Sequence, residues 1–165
     1  IIWGVQYLNA QGNASAQNKW FGPNGYHNWG NNNPLEPTVR QFEMKDGTPF
    51  VWDKYNPGDE YVREFTAAEL AADPERNPFV GREPRFYGTI LFDGAPWNQR
   101  PSDAAGIDPL NRVQTGYFIQ ADGSQIAGLD TRQGLIEAWN GTKNGYYIKK
   151  YMDNKTVGQD FNNEN

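Results

Sequence analysis

Between Trp20 and Asn33 the chain sets flat rings among side-chain amides: Trp20, Tyr26 and Trp29 interleave with Asn24, Asn28, Asn31, Asn32 and Asn33. A sugar offers weakly polarised C–H faces and a rim of hydroxyls. Rings can therefore act as stacking platforms while amides, each both donor and acceptor, bond the hydroxyls. On this chemistry Trp20, Tyr26 and Trp29 are candidate platforms, and Asn28 and Asn31 are candidate hydroxyl partners. A second reading stays open beside it, in which the rings cover apolar surface and the asparagines make turns.

Other chemistries find less support. The 20 acidic residues make some carboxylate pair inevitable, and Glu83, Asp93, Asp103 and Asp108 lie in or beside loops where a glycosidase acid and base could sit. Nothing in their spacing selects two of them. No GxSxG elbow, HExxH helix or phosphate-cradling glycine loop occurs. The chain has no cysteine and His27 alone for imidazole, which excludes thiolate ligands, thiol nucleophiles and sites built on several histidines. Oxygen ligands abound, yet no run matches a calcium-binding EF-hand loop. The expectation is no metal and no cofactor.

Three further groups read as architecture. Trp52, Tyr55 and Tyr61 form an aromatic cluster among turn formers, suited to a core or an interface. Arg82 and Arg85 flank Glu83 and Pro84, a spacing that lets planar guanidinium groups pair with carboxylates and bond loop carbonyls. Tyr87 and Trp97 are assigned to the core. If Tyr146 to Tyr151 is a strand, Lys149 and Lys150 point to opposite faces, and the inward one needs a partner.

The elements that must position these residues are short, because Gly 18 and Pro 11 interrupt a chain that is 37% hydrophobic and 15% aromatic. Alternation predicts a strand over Ile1 to Tyr7. Asn9 to Pro37 fits neither a period of 2 nor of 3.6 and reads as a long loop, a candidate binding element given its rings. Thr38 to Met44 reads as a short helix before the turn Lys45-Asp46-Gly47. A capping box at Thr66 to Glu69 predicts a helix over Ala67 to Ala72. Arg85 to Phe92, β-branched and aromatic, reads as a strand stopped by Asp93-Gly94. A second strand is expected over Gln114 to Gln120, ended by Ala121 to Ser124, and a helix over Arg132 to Trp139, stopped by Asn140-Gly141. A last strand is expected over Tyr146 to Tyr151, followed by a polar tail. The fold class is α+β and loop-rich, with a few short antiparallel strands and small helices. A net charge of -5 argues against nucleic acid as a partner. The apolar runs fall well short of the roughly 20 residues of a spanning helix.

The stretch Asn77 to Trp97, NPFVGREPRFYGTILFDGAPW, resembles the hallmark block of the SusD/RagB family, the surface nutrient-binding lipoproteins of glycan-harvesting bacteria of the Bacteroidetes type. Ile1 to Tyr7 (IIWGVQY), Gln41 to Gly47 (QFEMKDG) and Gly145 to Asp153 (GYYIKKYMD) support the match in the family's order, so the resemblance spans nearly the whole chain. It implies that residues 1–165 are a single, internal piece resembling the family's C-terminal subdomain. The family places a helical-repeat scaffold before the first of these segments and a further helix after the last. The opening on Ile1, without an initiator methionine, a leader or a lipid-accepting cysteine, fits a processed or excised start. Apolar faces that meet that scaffold would be exposed in the piece alone.

The resemblance further implies non-catalytic binding of oligosaccharide nutrients at the outer-membrane surface. The parent would be anchored through a lipidated N-terminus and would deliver its ligand to a SusC-like TonB-dependent transporter. In the family, ligand aromatics come partly from loops upstream of the hallmark block, where Trp20 to Asn33 lies. The alternatives are a structural, partner-facing subdomain with the ligand held elsewhere in the parent and, third, a glycoside hydrolase.

Overall fold

A chain so often interrupted by glycine and proline sustains only short elements. In the computed structural model, which describes residues 17–52, 77–119 and 124–152, they run from two to six residues. In order they are α1 (Gln17–Phe21), a 3-10 turn (Asn24–Tyr26), α2 (Glu36–Arg40), α3 (Pro84–Thr89), β1 (Ile90–Leu91), β2 (Tyr117–Ile119), β3 (Gln125–Ala127), a second 3-10 turn (Ala138–Asn140) and β4 (Tyr147–Ile148). β1 pairs antiparallel with β4 in the register Ile90 to Ile148 and Leu91 to Tyr147. β2 and β3 form an antiparallel hairpin with Phe118 opposite Ile126. The loop-rich α+β architecture is the one expected. The strand over Ile1 to Tyr7, the capping-box helix, Tyr55, Tyr61 and the polar tail lie outside the described residues, as does most of the turn after β2.

The hallmark block departs from the expected strand. Only Ile90 and Leu91 are extended, and Pro84–Thr89 is helical. Proline occupies the first helical turn, where its fixed φ suits the helix and its missing N–H costs nothing. The helix also fits the surroundings better than a strand would. It buries Phe86, stacked on Phe92 at 5.1 Å with Phe42 edge-on at 5.8 Å. It also lets the Tyr87 hydroxyl donate to the Phe79 carbonyl at 2.8 Å and accept from the Arg82 amide at 3.1 Å. Packing overrides the β preference of the residues. The expected stop is present: Gly94 sits at φ 81°, open to glycine at little cost, and the Ala95 amide closes the turn on Phe92.

Alternation along β1 and β4 buries both faces of their two-stranded sheet. Ile90 and Tyr146 meet Val39 and Phe86 on one side, backed by Phe42, Phe79, Tyr87 and Phe92. Leu91 and Tyr147 meet Ala95 and Val113 on the other, backed by Trp97 and Met152. Tyr87 and Trp97 thus pack as expected. Arg82 is buried between the Phe50 and Phe86 rings, its guanidinium carbon 3.8 and 4.5 Å from their centroids. It donates to the carbonyls of Pro78, Val39 and Phe42. Arg85 pairs with Glu83, whose other oxygen accepts the Glu43 amide. Arg82 is therefore a structural pin that ties the hallmark block to α2 and the segment after it, while the exposed Arg85 steadies Glu83, which makes the second tie.

Two other expectations need correction. The segment read as one loop to Pro37 contains α1 and the first 3-10 turn, and α2 starts at Glu36 rather than Thr38 and stops at Arg40. The helix expected over Arg132 to Trp139 is a series of turns ending in Ala138–Asn140. Glu137 takes a left-handed φ of 41°, which breaks any helix through it, and Leu135 and Trp139 are 81% and 73% exposed. A hydrogen bond made elsewhere fixes that path: the buried Asn24 amide nitrogen lies 2.6 Å from the Ile136 carbonyl and 3.1 Å from that of Leu129.

Candidate functional site

α1 ends beside the chain that returns after the 3-10 turn, and three backbone bonds lock the two together. The Trp29 amide donates to the Lys19 carbonyl at 2.7 Å, Gly30 to Gly22 at 3.1 Å and Asn31 to Trp20 at 2.9 Å. This pairing brings the indoles of Trp20 and Trp29 edge to face, centroids 4.6 Å apart and planes at 80°. Both stay partly open, 40% and 38% exposed, so the pair forms a right-angled apolar notch on the surface. Gly30 holds the next step: at φ 49°, a Cβ there would lie 2.2 Å from the Asn140 carbonyl oxygen, so only glycine lets the two chains approach. Asn31 and Asn32 follow the notch, exposed.

Lys19, which the sequence reading passed over, places its ammonium 5.3 Å from the Trp29 centroid and 5.9 Å from that of Trp20. The signal available in the sequence was a basic residue immediately before the first tryptophan of the candidate segment.

The other predicted site residues go elsewhere. Tyr26 and Asn28 are fully buried and present no face to solvent, so the structure removes them from any surface platform. The Tyr26 ring lies under the Arg100 guanidinium, 4.0 Å from centroid to carbon, and burial pushes its phenol well above the usual range. Asn24 and Asn33 spend their amides on the fold. Asn33 donates to the Gly30 and Tyr146 carbonyls and accepts the Lys143 amide. The sequence could not separate these roles, because ring and amide types are the same inside and outside.

In the interior, Arg100 anchors a buried polar centre. Its Nη1 and Nη2 bond both oxygens of Asp130 at 2.9 and 2.7 Å, and its Nε bonds Asp108 at 2.8 Å. Asp130 also accepts the amides of Gly25 and Gln114. Burial works against both charges, lowering Arg100 and raising Asp130. The hydrogen bonds and charge of Asp130 nevertheless hold the guanidinium above its usual range. The Tyr147 hydroxyl completes the centre, 2.9 Å from Asn24 Oδ1 and 2.8 Å from the Asp130 carbonyl, and it accepts the Thr142 amide at 2.8 Å.

The carboxylates singled out as possible acids or bases are each engaged. Asp108 bonds Arg100 and the Arg112 amide, and Asp93 accepts the amides of Thr115 and Gly116. Burial pushes Asp93 above the usual carboxylate range against those bonds. The Arg85 hydrogen bond holds Glu83 below that range. Asp103 faces His27 Nε2 at 3.0 Å, while His27 Nδ1 faces Glu137 at 3.2 Å. Among the described residues no group of three or more His, Cys, Asp or Glu is placed to hold a metal ion, and no helix is long and apolar enough to cross a membrane.

A family model described as the SusD family matches residues 1–165. Among solved structures, a SusD-like carbohydrate-binding protein from Bacteroides fragilis is 19% identical with a TM-score of 0.52, the match covering 97% of this chain and 24% of that one. Another SusD-like protein from Bacteroides fragilis is 26% identical over 76% of this chain and 19% of that one, with a TM-score of 0.40. No curated protein matches the chain. The chain thus spans about a quarter of the length of the first of these structures, and that likeness speaks to the fold.

Proposed function

The chain belongs to the SusD family, and from that membership we propose that it is a subdomain of a larger, non-catalytic glycan-binding protein. The parent holds oligosaccharide nutrients at the outer-membrane surface and passes them to a SusC-like TonB-dependent transporter. The observation that carries the binding role is the Trp20–Trp29 notch, an open and backbone-locked pair of indoles with Asn31 beside it. A sugar C–H face stacks on one indole while the neighbouring amide bonds its hydroxyls, and weak contacts of this kind add along a chain of sugars. Binding asks for no bond-breaking group, in keeping with the structural use of Glu83, Asp93 and Asp108.

The test is a glycan array on the intact protein, followed by calorimetry of the strongest ligand with Trp20→Ala and Trp29→Ala. Each variant should weaken binding at least tenfold; unchanged affinity for both removes the site. Co-purification of the intact protein with its transporter from outer membranes tests the delivery role.

A second reading has its own observation. Leu35, Leu110, Leu135, Trp139 and Tyr151 are each at least 69% exposed, which suits a face covered by the rest of the parent while the sugar is held elsewhere. Hydrogen exchange of the intact protein with and without glycan separates the two. Protection over residues 19–31 supports the notch, whereas protection confined to other regions supports the second reading.

A further inference from the structure

We infer that Trp139 is a second sugar platform beside the notch, so that the site takes an oligosaccharide long enough to lie on both rather than a single sugar. The inference rests on the notch being the glycan site. Trp139 is 73% exposed and sits on the short 3-10 turn Ala138–Asn140, which two ties hold against the segment leaving the notch. The Asn140 carbonyl oxygen lies where a Cβ on Gly30 would come within 2.2 Å, so the turn and the residue after Trp29 meet backbone to backbone. Glu137 makes the second tie: one carboxylate oxygen lies 3.2 Å from His27 Nδ1, and the other accepts the Asn140 side-chain amide at 3.2 Å. Trp139 and Trp29 are thus each one residue from the same junction. With about 3.8 Å between consecutive Cα atoms, the two tryptophan Cα atoms stand at most about 14 Å apart, within reach of a few linked pyranoses.

The turn is built to present a ring. A platform that has to be ordered on binding loses part of what stacking gains, so a useful one is open and already held. The backbone that carries Trp139 is held: the Asn140 amide donates to the Glu137 carbonyl at 2.8 Å and the Gly141 amide to that of Ala138 at 3.1 Å. A Cβ on Gly141 would lie 2.3 Å from the Thr131 carbonyl carbon, so glycine alone lets the turn close on its neighbour. Glu137 keeps a left-handed φ of 41°, a costly state for a residue with a side chain, and it persists with both carboxylate oxygens engaged. Asn31 and Asn32, exposed just past the junction, offer amides for the hydroxyls. Leu135 is exposed on the same run of turns but has no ring face to stack on a sugar.

The test uses the intact protein and a ladder of chain lengths of the glycan that binds it best on an array, measured by calorimetry. Affinity in the unmodified protein should climb with length and level off once the ligand spans both platforms. Trp139→Ala should leave the shortest bound ligand unchanged and weaken the longest about fivefold, the size of one aromatic stacking contact. Trp139→Phe should recover part of that loss, and Leu135→Ala should lose nothing. A Trp139→Ala protein that binds every length as the unmodified protein does overturns the inference and leaves the notch standing; a melting temperature lowered alike in Trp139→Ala and Leu135→Ala would then assign that face to the rest of the parent. A loss that is equal at every length overturns the spanning arrangement. Binding of every length that survives both Trp20→Ala and Trp29→Ala overturns the notch as the site, and the second platform beside it falls too.

Discussion

The stretch of chain that forms the notch also feeds Asn24 and Tyr26 to the Arg100 centre, and it inverts the usual sorting of side chains. Between residues 19 and 31 the apolar tryptophans are left open to water, while Asn24, Tyr26 and Asn28 are fully enclosed. Asn24 goes inside as a tie between loops. The cluster of Ala104, Leu129 and Ile136 is small, and hydrogen bonds donated by Asn24 and Tyr147 and accepted by Asp130 join the segments instead. A buried polar network is unforgiving, since each partner lost strands another. An exposed aromatic pair is not, since water takes over what is removed. The two regions should therefore answer mutation in opposite ways, one in stability and the other in binding.

The largest effect should come from Arg100→Met. It leaves the Asp130 carboxylate fully buried without its bidentate partner, and breaking such a pair costs about 3–5 kcal/mol. Denaturant unfolding of the intact protein measures it. Trp20→Ala and Trp29→Ala lose one edge-to-face contact and should cost about 1 kcal/mol while removing the glycan. Equal losses of stability at Arg100 and at the tryptophans would erase the contrast.

Next in size is Tyr147→Phe, which deprives the Thr142 amide of its acceptor and should cost about 1–3 kcal/mol. It also sharpens the comparison through pH. Burial raises Tyr147, as it does Tyr26 and Tyr146, above the ordinary value of 10.0. A group raised in the folded state contributes stability that is complete below its unfolded value and lost as pH climbs beyond it. Thermal unfolding followed upward from pH 9 should show stability falling above pH 10 in the parent sequence, and falling less steeply in Tyr147→Phe. The two indoles of the notch carry no titrating group and add nothing to that slope.

What could be read beforehand follows the same division. Turn chemistry acts locally, so the stops at Asp46-Gly47, Asp93-Gly94 and Asn140-Gly141 were visible in the sequence. So was the use of Arg82 as a pin on loop carbonyls and the pairing of Arg85 with a nearby carboxylate, since guanidinium groups among prolines and carbonyls have few other employments. The helix over Pro84–Thr89 was hidden because Phe86, Tyr87 and Ile90 carry strand preferences, and only the stacked rings of Phe79 and Phe92 overrule them. The broken path at 132–139 was hidden because Asn24, more than 100 residues earlier, captures the Ile136 carbonyl. In the candidate site, Trp20, Trp29 and Asn31 stay at the surface while Tyr26 and Asn28 are buried, a difference their residue types did not reveal. Burial is a property of the partner across the fold, which no local window contains.

The smallest expected effect concerns a lysine that belongs to neither region. A strand through Tyr151 would have turned one of Lys149 and Lys150 inward; β4 instead ends at Ile148, and Lys149 just after it is half-buried, its ammonium 6.0 Å from the Trp97 centroid, while Lys150 is exposed. Burial holds Lys149 below the usual 10.5, so in the folded state the charge is disfavoured relative to the unfolded chain. For a base shifted this way the penalty is complete at neutral pH and disappears once pH exceeds the unfolded value, where the group is neutral in both states. Lys149→Met keeps the stem against Trp97 and removes the charge, so it should raise the melting temperature slightly at pH 7 and lose that advantage by pH 11. A lowered melting temperature at pH 7 would instead mean that the contact with the Trp97 ring outweighs the cost of burial. Lys149 would then stand with Lys19 as a cation that its indole welcomes rather than tolerates.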